Sequence, residues 1–204
     1  MSPLVAPRSQ ERILAPEGTH KARLVGLVQL GTVPVEWAGE TKWLEKVRLT
    51  FELPEELHKF KEDEPEKPVV ISQEYTLSMG EKSNLRPVVE GIINITLQDK
   101  EADSFDVETL LGLPCLLSIK HKKSGKGNTF AVIETATPLM KKMVVPEAIN
   151  PVKKLTYENW NQEEFDKLPT FIQDKMKSSR QYVKKFGVQP ELPTDEVNES
   201  EIPF

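Results

Sequence analysis

Four lysines crowd one short stretch of this chain: Lys120, Lys122, Lys123 and Lys126, the last three within Lys122-Lys123-Ser124-Gly125-Lys126-Gly127. Cations at this density, on a glycine-bearing turn, can follow a row of phosphates, each contact releasing a condensed counterion. Aromatic rings supply the complementary chemistry, because every nucleobase has a face that stacks. Trp37, Trp43, Phe51, Tyr75 and Phe130 all fall on or beside segments of strand character. A small β domain cannot turn five rings outward, so most of them belong to its core. Trp37, in a connecting segment, and Tyr75, on a strand, are the candidates for stacking. Trp43, Val47, Leu49 and Phe51 share the parity of an interior face, which sends Lys46 and Arg48 to the opposite, outer face. The expected polyanion-binding set is therefore Trp37, Lys46, Arg48, Tyr75, Lys120, Lys122, Lys123 and Lys126. Each has an ordinary alternative, since lysines gather at solvated hairpin tips and polar residues line any exposed strand face.

Other chemistry finds little support. There is no Ser-His-Asp order, no Walker A loop and no Gly-x-Gly-x-x-Gly. Ser124-Gly125-Lys126-Gly127 lacks the Walker spacing and stands between two expected antiparallel strands. Glu55-Glu56 and Glu163-Glu164 sit in charged surface stretches, not on a core element where carboxylates could converge on a metal. His20, His58 and His121 are scattered, and Cys115 is the lone cysteine, so no zinc or haem pattern arises. The expectation is a protein with no cofactor, no metal and no enzymatic activity. No apolar run is long enough to span a bilayer, the first sixteen residues lack a secretory h-region, and a single cysteine fits a reducing cytoplasm.

The net charge of −5 argues at first against a nucleic-acid partner, but the charge is polarised. Between residues 114 and 142 six lysines, Lys141 and Lys142 included, face Glu134 alone. Residues 190–204 carry Glu191, Asp195, Glu196, Glu199 and Glu201 and no base. The local patch outweighs the total for nucleic-acid binding. The acidic run closes on Ile202-Pro203-Phe204, which would bring an apolar ring and a carboxylate to one exposed point. A greasy pocket with a basic rim captures such a tip, so Glu199, Glu201, Ile202, Pro203 and Phe204 are the expected partner-binding residues.

Alternation predicts strands over residues 20–30, 42–53, 68–78, 114–121 and 129–137, with a loop over 31–41 and a charged hairpin excursion over 54–67. Ser83 offers an N-cap for a helix through Leu85, Val88, Val89 and Ile92, with Pro87 in its first turn. Asp106 caps a second short helix that Gly112 stops. Leu168, Phe171, Ile172 and Met176 form one face of a helix that Pro169 opens. Strand–strand–strand–helix–strand–strand is the order of the OB-fold, whose ligands cross strands two and three between the loops after strands one and four. The chain then divides into a flexible leader (1–16), a five-stranded OB barrel (17–145), a connector and helical extension (146–187) and a disordered acidic tail (188–204). Residues 155–186 can pack within one chain or join two chains as a homo-oligomer.

Two resemblances bear on function. Val47-Arg48-Leu49-Thr50-Phe51-Glu52-Leu53-Pro54 and the stretch from Ile71-Ser72-Gln73-Glu74-Tyr75 to Lys82-Ser83-Asn84-Leu85 resemble a family of phage-encoded OB-fold single-stranded DNA-binding proteins. Leu111-Gly112-Leu113-Pro114-Cys115 and Leu168-Pro169-Thr170-Phe171-Ile172 are similar to later landmarks of that family. The Ile-Pro-Phe tip resembles that of bacterial single-stranded DNA-binding proteins. Together they imply sequence-nonspecific binding of single-stranded DNA in phage replication and recombination, inside the cytoplasm of a bacterial host cell, with replication or recombination proteins recruited through the tip. An annealing or recombination-mediator protein would use the same groove. An OB-like protein-interaction module would leave the lysines as incidental surface.

Overall fold

The computed structural model describes residues 13–60, 63–125 and 127–187. Lys126 and residues 188–204, with Glu199, Glu201 and the Ile202-Pro203-Phe204 tip, lie outside the described residues. Strands β1 (Gly18–Trp37), β2 (Glu40–His58) and β3 (Lys67–Thr76) lead into helix α1 (Leu85–Ile93), helix α2 (Asp99–Asp103) and a single 3-10 turn, Val107–Leu110. Strands β4 (Pro114–Lys123), β5 (Thr129–Thr137) and β6 (Lys153–Leu155) follow. Helices α3 (Gln162–Asp166), α4 (Thr170–Lys177) and α5 (Arg180–Phe186) complete the described order.

The architecture is mainly β. One sheet runs β3-β2-β1-β4-β5 with antiparallel neighbours, and β6 joins β1 in parallel at Gly26–Val28. The sheet curls without closing. Across the gap between its edge strands the Gln73 side chain substitutes for a ladder: Ile133 N donates to its Oε1 at 2.8 Å and its Nε2 donates to Ile133 O at 3.3 Å. An amide side chain carries the same donor and acceptor as a peptide unit, so one residue satisfies both edges locally. Inside the curl lie Leu24, Leu49, Phe51, Leu53, Leu85, Leu110 and Leu117, each fully buried and each contributing roughly 1.5–3 kcal/mol by leaving water. Helix α1 presents Leu85, Val88, Val89 and Ile92 to this core. Its first turn is held by Ser83 Oγ, which accepts from Leu85 N.

The segment expected as a loop over 31–41 is instead a hairpin arm. Pairing continues from Thr32↔Glu45 to Trp37↔Glu40, closed by Ala38 and Gly39, both at positive φ (52° and 82°). That is the backbone a two-residue hairpin turn needs. Pro34 and Gly31 gave a loop signal, yet Gly31 marks a bulge at φ 86° and Pro34 stands out on the arm, opposite Trp43. The excursion over 54–67 is the same kind of extension, since β2 runs on past a bulge to Leu57↔Pro68 and His58↔Lys67.

A second, smaller core gathers Leu30, Leu155, Tyr157, Phe165, Ile172 and Met176, with Trp160, Leu168, Phe171 and Tyr182 against it. It joins the helical extension to the outside of β1 within the same chain. Tyr157 locks it, its hydroxyl lying 2.7 Å from Ser179 Oγ, 3.1 Å from Leu30 O and 3.3 Å from Met176 O. Two cross-strand partners, Arg23 and Glu52, strap the connector down. Arg23 donates to the carbonyls of Gly112, Val145 and Pro146. The fully buried Glu52 carboxylate accepts from Ile149 N, Asn150 N and Asn150 Nδ2 at 2.7–2.8 Å.

Candidate nucleic-acid interface

The β4–β5 hairpin exposes its lysines through strand parity. Ile119 faces the core, so Lys120 and Lys122 face outward, and both are exposed, as is Lys123. Antiparallel register puts Phe130 directly across from Lys122 and Val132 across from Lys120. Partners in register share a face, so a cation and an aromatic ring lie side by side on the outside of the hairpin. Phe130 is half-buried. Lys120 also meets Glu134, at 2.7 Å. Both partners are largely exposed, and such a pair contributes little and yields readily to a phosphate. In the sequence Phe130 is one of five rings of which most belong to a core, and it is not among the two stacking candidates. The signal that finds it is register, two positions from a turn whose length sets the pairing.

The outer face of β2 differs. Parity does send Lys46 and Arg48 outward, but the C-terminal helices cover them. Arg48 Nη1 lies 3.8 Å from Glu74, and its guanidinium sits 5.8 Å from the centre of the Phe171 ring. Glu74 takes a second cation from α4, Lys175, at 2.8 Å. Lys46 donates to Thr76 Oγ1. Burial holds its ammonium below the usual lysine range, with Glu74 opposing that shift and Lys175 adding to it. The expectation of an open binding face at Lys46 and Arg48 is corrected: both are outward, and both are engaged within the chain.

Tyr75 is a second correction. It pairs with Val47, so it shares the interior parity and is 3% exposed. No base can reach its ring. Its hydroxyl has no hydrogen-bond partner among the described residues, and burial pushes its ionisation above the usual phenol range. Trp43 reverses in the other direction. It keeps the interior parity of Val47, Leu49 and Phe51 but stands on the arm beyond the core, 42% exposed, with Arg180 4.5 Å over its ring. Trp37 is 67% exposed at the tip of the arm, as a stacking residue requires.

A concavity of about 1160 Å³ opens at one end of the curled sheet and is lined by Leu27, Val47, Leu77 and Met79 at its apolar side. Its rim carries Glu45, Asp103, Asp106, Glu108 and Glu158 against Lys184 and Lys185. That field repels a polyanion. Among the described residues no cluster of His, Cys, Asp or Glu could hold a metal ion, and no helix is long and apolar enough to cross a membrane. Neither a protein-family model nor a curated protein matches the chain.

Proposed function

We propose that this chain is a non-enzymatic single-stranded DNA-binding protein of phage type, built on an OB barrel, acting in replication and recombination in the cytoplasm of a bacterial host. One observation carries the reading: on the β4–β5 hairpin, exposed Lys120 and Lys122 alternate on one face with Phe130 in register beside them. A single strand offers phosphates to the cations and an unpaired base to the ring, and a duplex offers only the phosphates. The strand order β1-β2-β3-α1-β4-β5 and the curled sheet, with its gap between β3 and β5, support an OB barrel. Trp37 adds a stacking surface at the tip of the β1–β2 arm, and Lys123 and Lys126 extend the cationic turn. The acidic segment with Glu199, Glu201, Ile202, Pro203 and Phe204 recruits replication or recombination proteins.

Fluorescence anisotropy of labelled oligo-dT, titrated beside the same sequence as duplex at two salt concentrations, tests the proposal. Tight single-strand binding that weakens with salt, with the duplex much weaker, is the expected result. Absence of single-strand binding at low salt would overturn it and leave the barrel as a protein-interaction module.

A further inference from the structure

The helices that bury Lys46 and Arg48 bring cations of their own. From Lys175 to Gly187 the chain holds Lys175, Lys177, Arg180, Lys184 and Lys185 and no acid. Lys175 is consumed by Glu74, while Lys177, Arg180, Lys184 and Lys185 are exposed. Lys177 pairs only with Asp174, at 3.4 Å on the surface, and Lys184 and Lys185 make no ion pair among the described residues. Helix electrostatics account for part of this: Lys184 and Lys185 lie in the last turn of α5, where a cation is favoured. Arg180 is the first residue of α5, where the same dipole disfavours a cation. Its place is explained by Trp43, whose ring lies under its guanidinium.

The docking of α5 is built with care. Gln181 reaches β1 twice, accepting from Thr32 N at 2.7 Å and donating to Thr32 Oγ1 at 3.0 Å. Gly31 makes room, since a Cβ there would stand 2.8 Å from the Ser179 side chain. These contacts fix Arg180 against the arm that ends in Trp37.

Resting on the proposed function, we propose that α5 with Lys177 and Trp43 forms a second stretch of the single-strand path. Lys177, Arg180, Lys184 and Lys185 take phosphates, and the Trp43–Arg180 stack receives an unpaired base. Unpaired bases stack on aromatic rings and on arginine planes alike. Lys184 and Lys185 stand on the outer rim of the acidic cleft, and its carboxylates keep the strand out of the cavity and over α5. The extension thus replaces, on its own surface, the cations it covers on β2.

The test uses the intact protein with Lys184→Gln and Lys185→Gln combined, against a short oligo-dT of roughly 8 nucleotides that one barrel can hold and a longer one. Both lysines are exposed, so folding is expected to survive, and thermal melting verifies it. For the longer strand the slope of log affinity against log salt is expected to shrink by about 1.4, about 0.7 for each lost phosphate contact. The short strand is expected to bind as before. Arg180→Gln and Trp43→Leu are each expected to weaken the longer strand severalfold; Trp43→Phe, which keeps a ring, is expected to retain most of the affinity. An unchanged slope on the longer strand, alongside weakened binding by a Lys122→Gln, Lys123→Gln variant, would overturn this inference and leave the proposed function intact. Tighter binding by the α5 variant would also overturn it, marking these lysines as partners of an acidic protein segment. If the wild-type protein binds neither strand, the proposed function fails and this inference with it.

Discussion

Lys46 and Arg48 alternate on the outside of β2 as Lys120 and Lys122 alternate on the outside of β4. Charge, spacing and parity are the same, and the outcomes are opposite. The β4 pair stands in solvent, with Phe130 and Val132 in register beside it. The β2 pair lies under α4, where Glu74 meets Arg48 from its own sheet and Lys175 from the helix. Desolvating a cation is costly unless a partner answers it, and Glu74 is that partner. Strand parity therefore decides which way a side chain points, while a segment more than a hundred residues away decides whether a ligand can reach it.

The strongest challenge to this comparison is to loosen the cover. Glu52 is fully buried and holds the connector by three hydrogen bonds. Glu52→Ala leaves the part-buried N–H groups of Ile149 and Asn150 without their acceptor, a loss of roughly 3 kcal/mol. In a protein of this size that lowers Tm by about 6–12 °C, as differential scanning fluorimetry would show. Oligo-dT affinity is expected to stay within twofold, because the hairpin keeps its cations. A rise of severalfold that vanishes when Arg48 is also replaced would show that the β2 face is a binding face held shut.

The hairpin half is tested by Lys122→Gln with Lys123→Gln. Two phosphate contacts contribute about 1.4 to the salt slope on a single strand, which amounts to about 70-fold in affinity between roughly 1 M and 50 mM salt. Anisotropy titrations across that range measure it. A change below threefold at low salt would remove the hairpin from the binding path.

The sequence shows what is local. Alternation placed the strands, and β5 begins and ends where it was expected. Asp106 caps its turn by accepting from Glu108 N at 2.9 Å. Ile172 and Met176 are fully buried on the expected face of the helix behind Pro169. The sequence hides what depends on distant partners. Trp43 has interior parity but stands beyond the point where the interior ends. Tyr75 has strand parity that reads either way until its register with Val47 is known. Arg180, Lys184 and Lys185 follow a short pattern with no stripe of its own, because α5 buries no residue completely and is held by Gln181 and Tyr182. Helices α2, α3 and α5 and strand β6 are too short to show a period.

The two cores also separate by pH. Burial pushes the Cys115 thiol up to about 12 from its ordinary 9.0, and the Tyr157 hydroxyl up to about 12 from 10.0. Groups with raised values contribute stability that is complete below the unfolded value and lost as pH climbs toward the folded one. From pH 8 to pH 10 the unfolded thiol ionises while the folded one does not, which costs about 1.4 kcal/mol, against about 0.4 kcal/mol for Tyr157. Urea unfolding at both pH values should therefore show a decline that Cys115→Ala largely removes and Tyr157→Phe barely alters. Equal relief from the two variants would mean that the thiol is less enclosed than the phenol.

The smallest expected effect is the most diagnostic of the covered face. Arg48→Met keeps the length and apolar stem of the side chain under α4 and removes its charge. The contact with Phe171 is then dispersive only, and Glu74 retains Lys175. Loss of a partly desolvated cation–π contact costs about 1 kcal/mol, read as a Tm fall of about 2–4 °C. Oligo-dT affinity and its salt slope are expected to match the wild type, since a charge held by Glu74 beneath a helix has no phosphate to lose. A slope reduced by about 0.7 without a Tm change would invert the assignment: Arg48 would then meet the strand, and α4 would have to lift from β2 whenever DNA is bound.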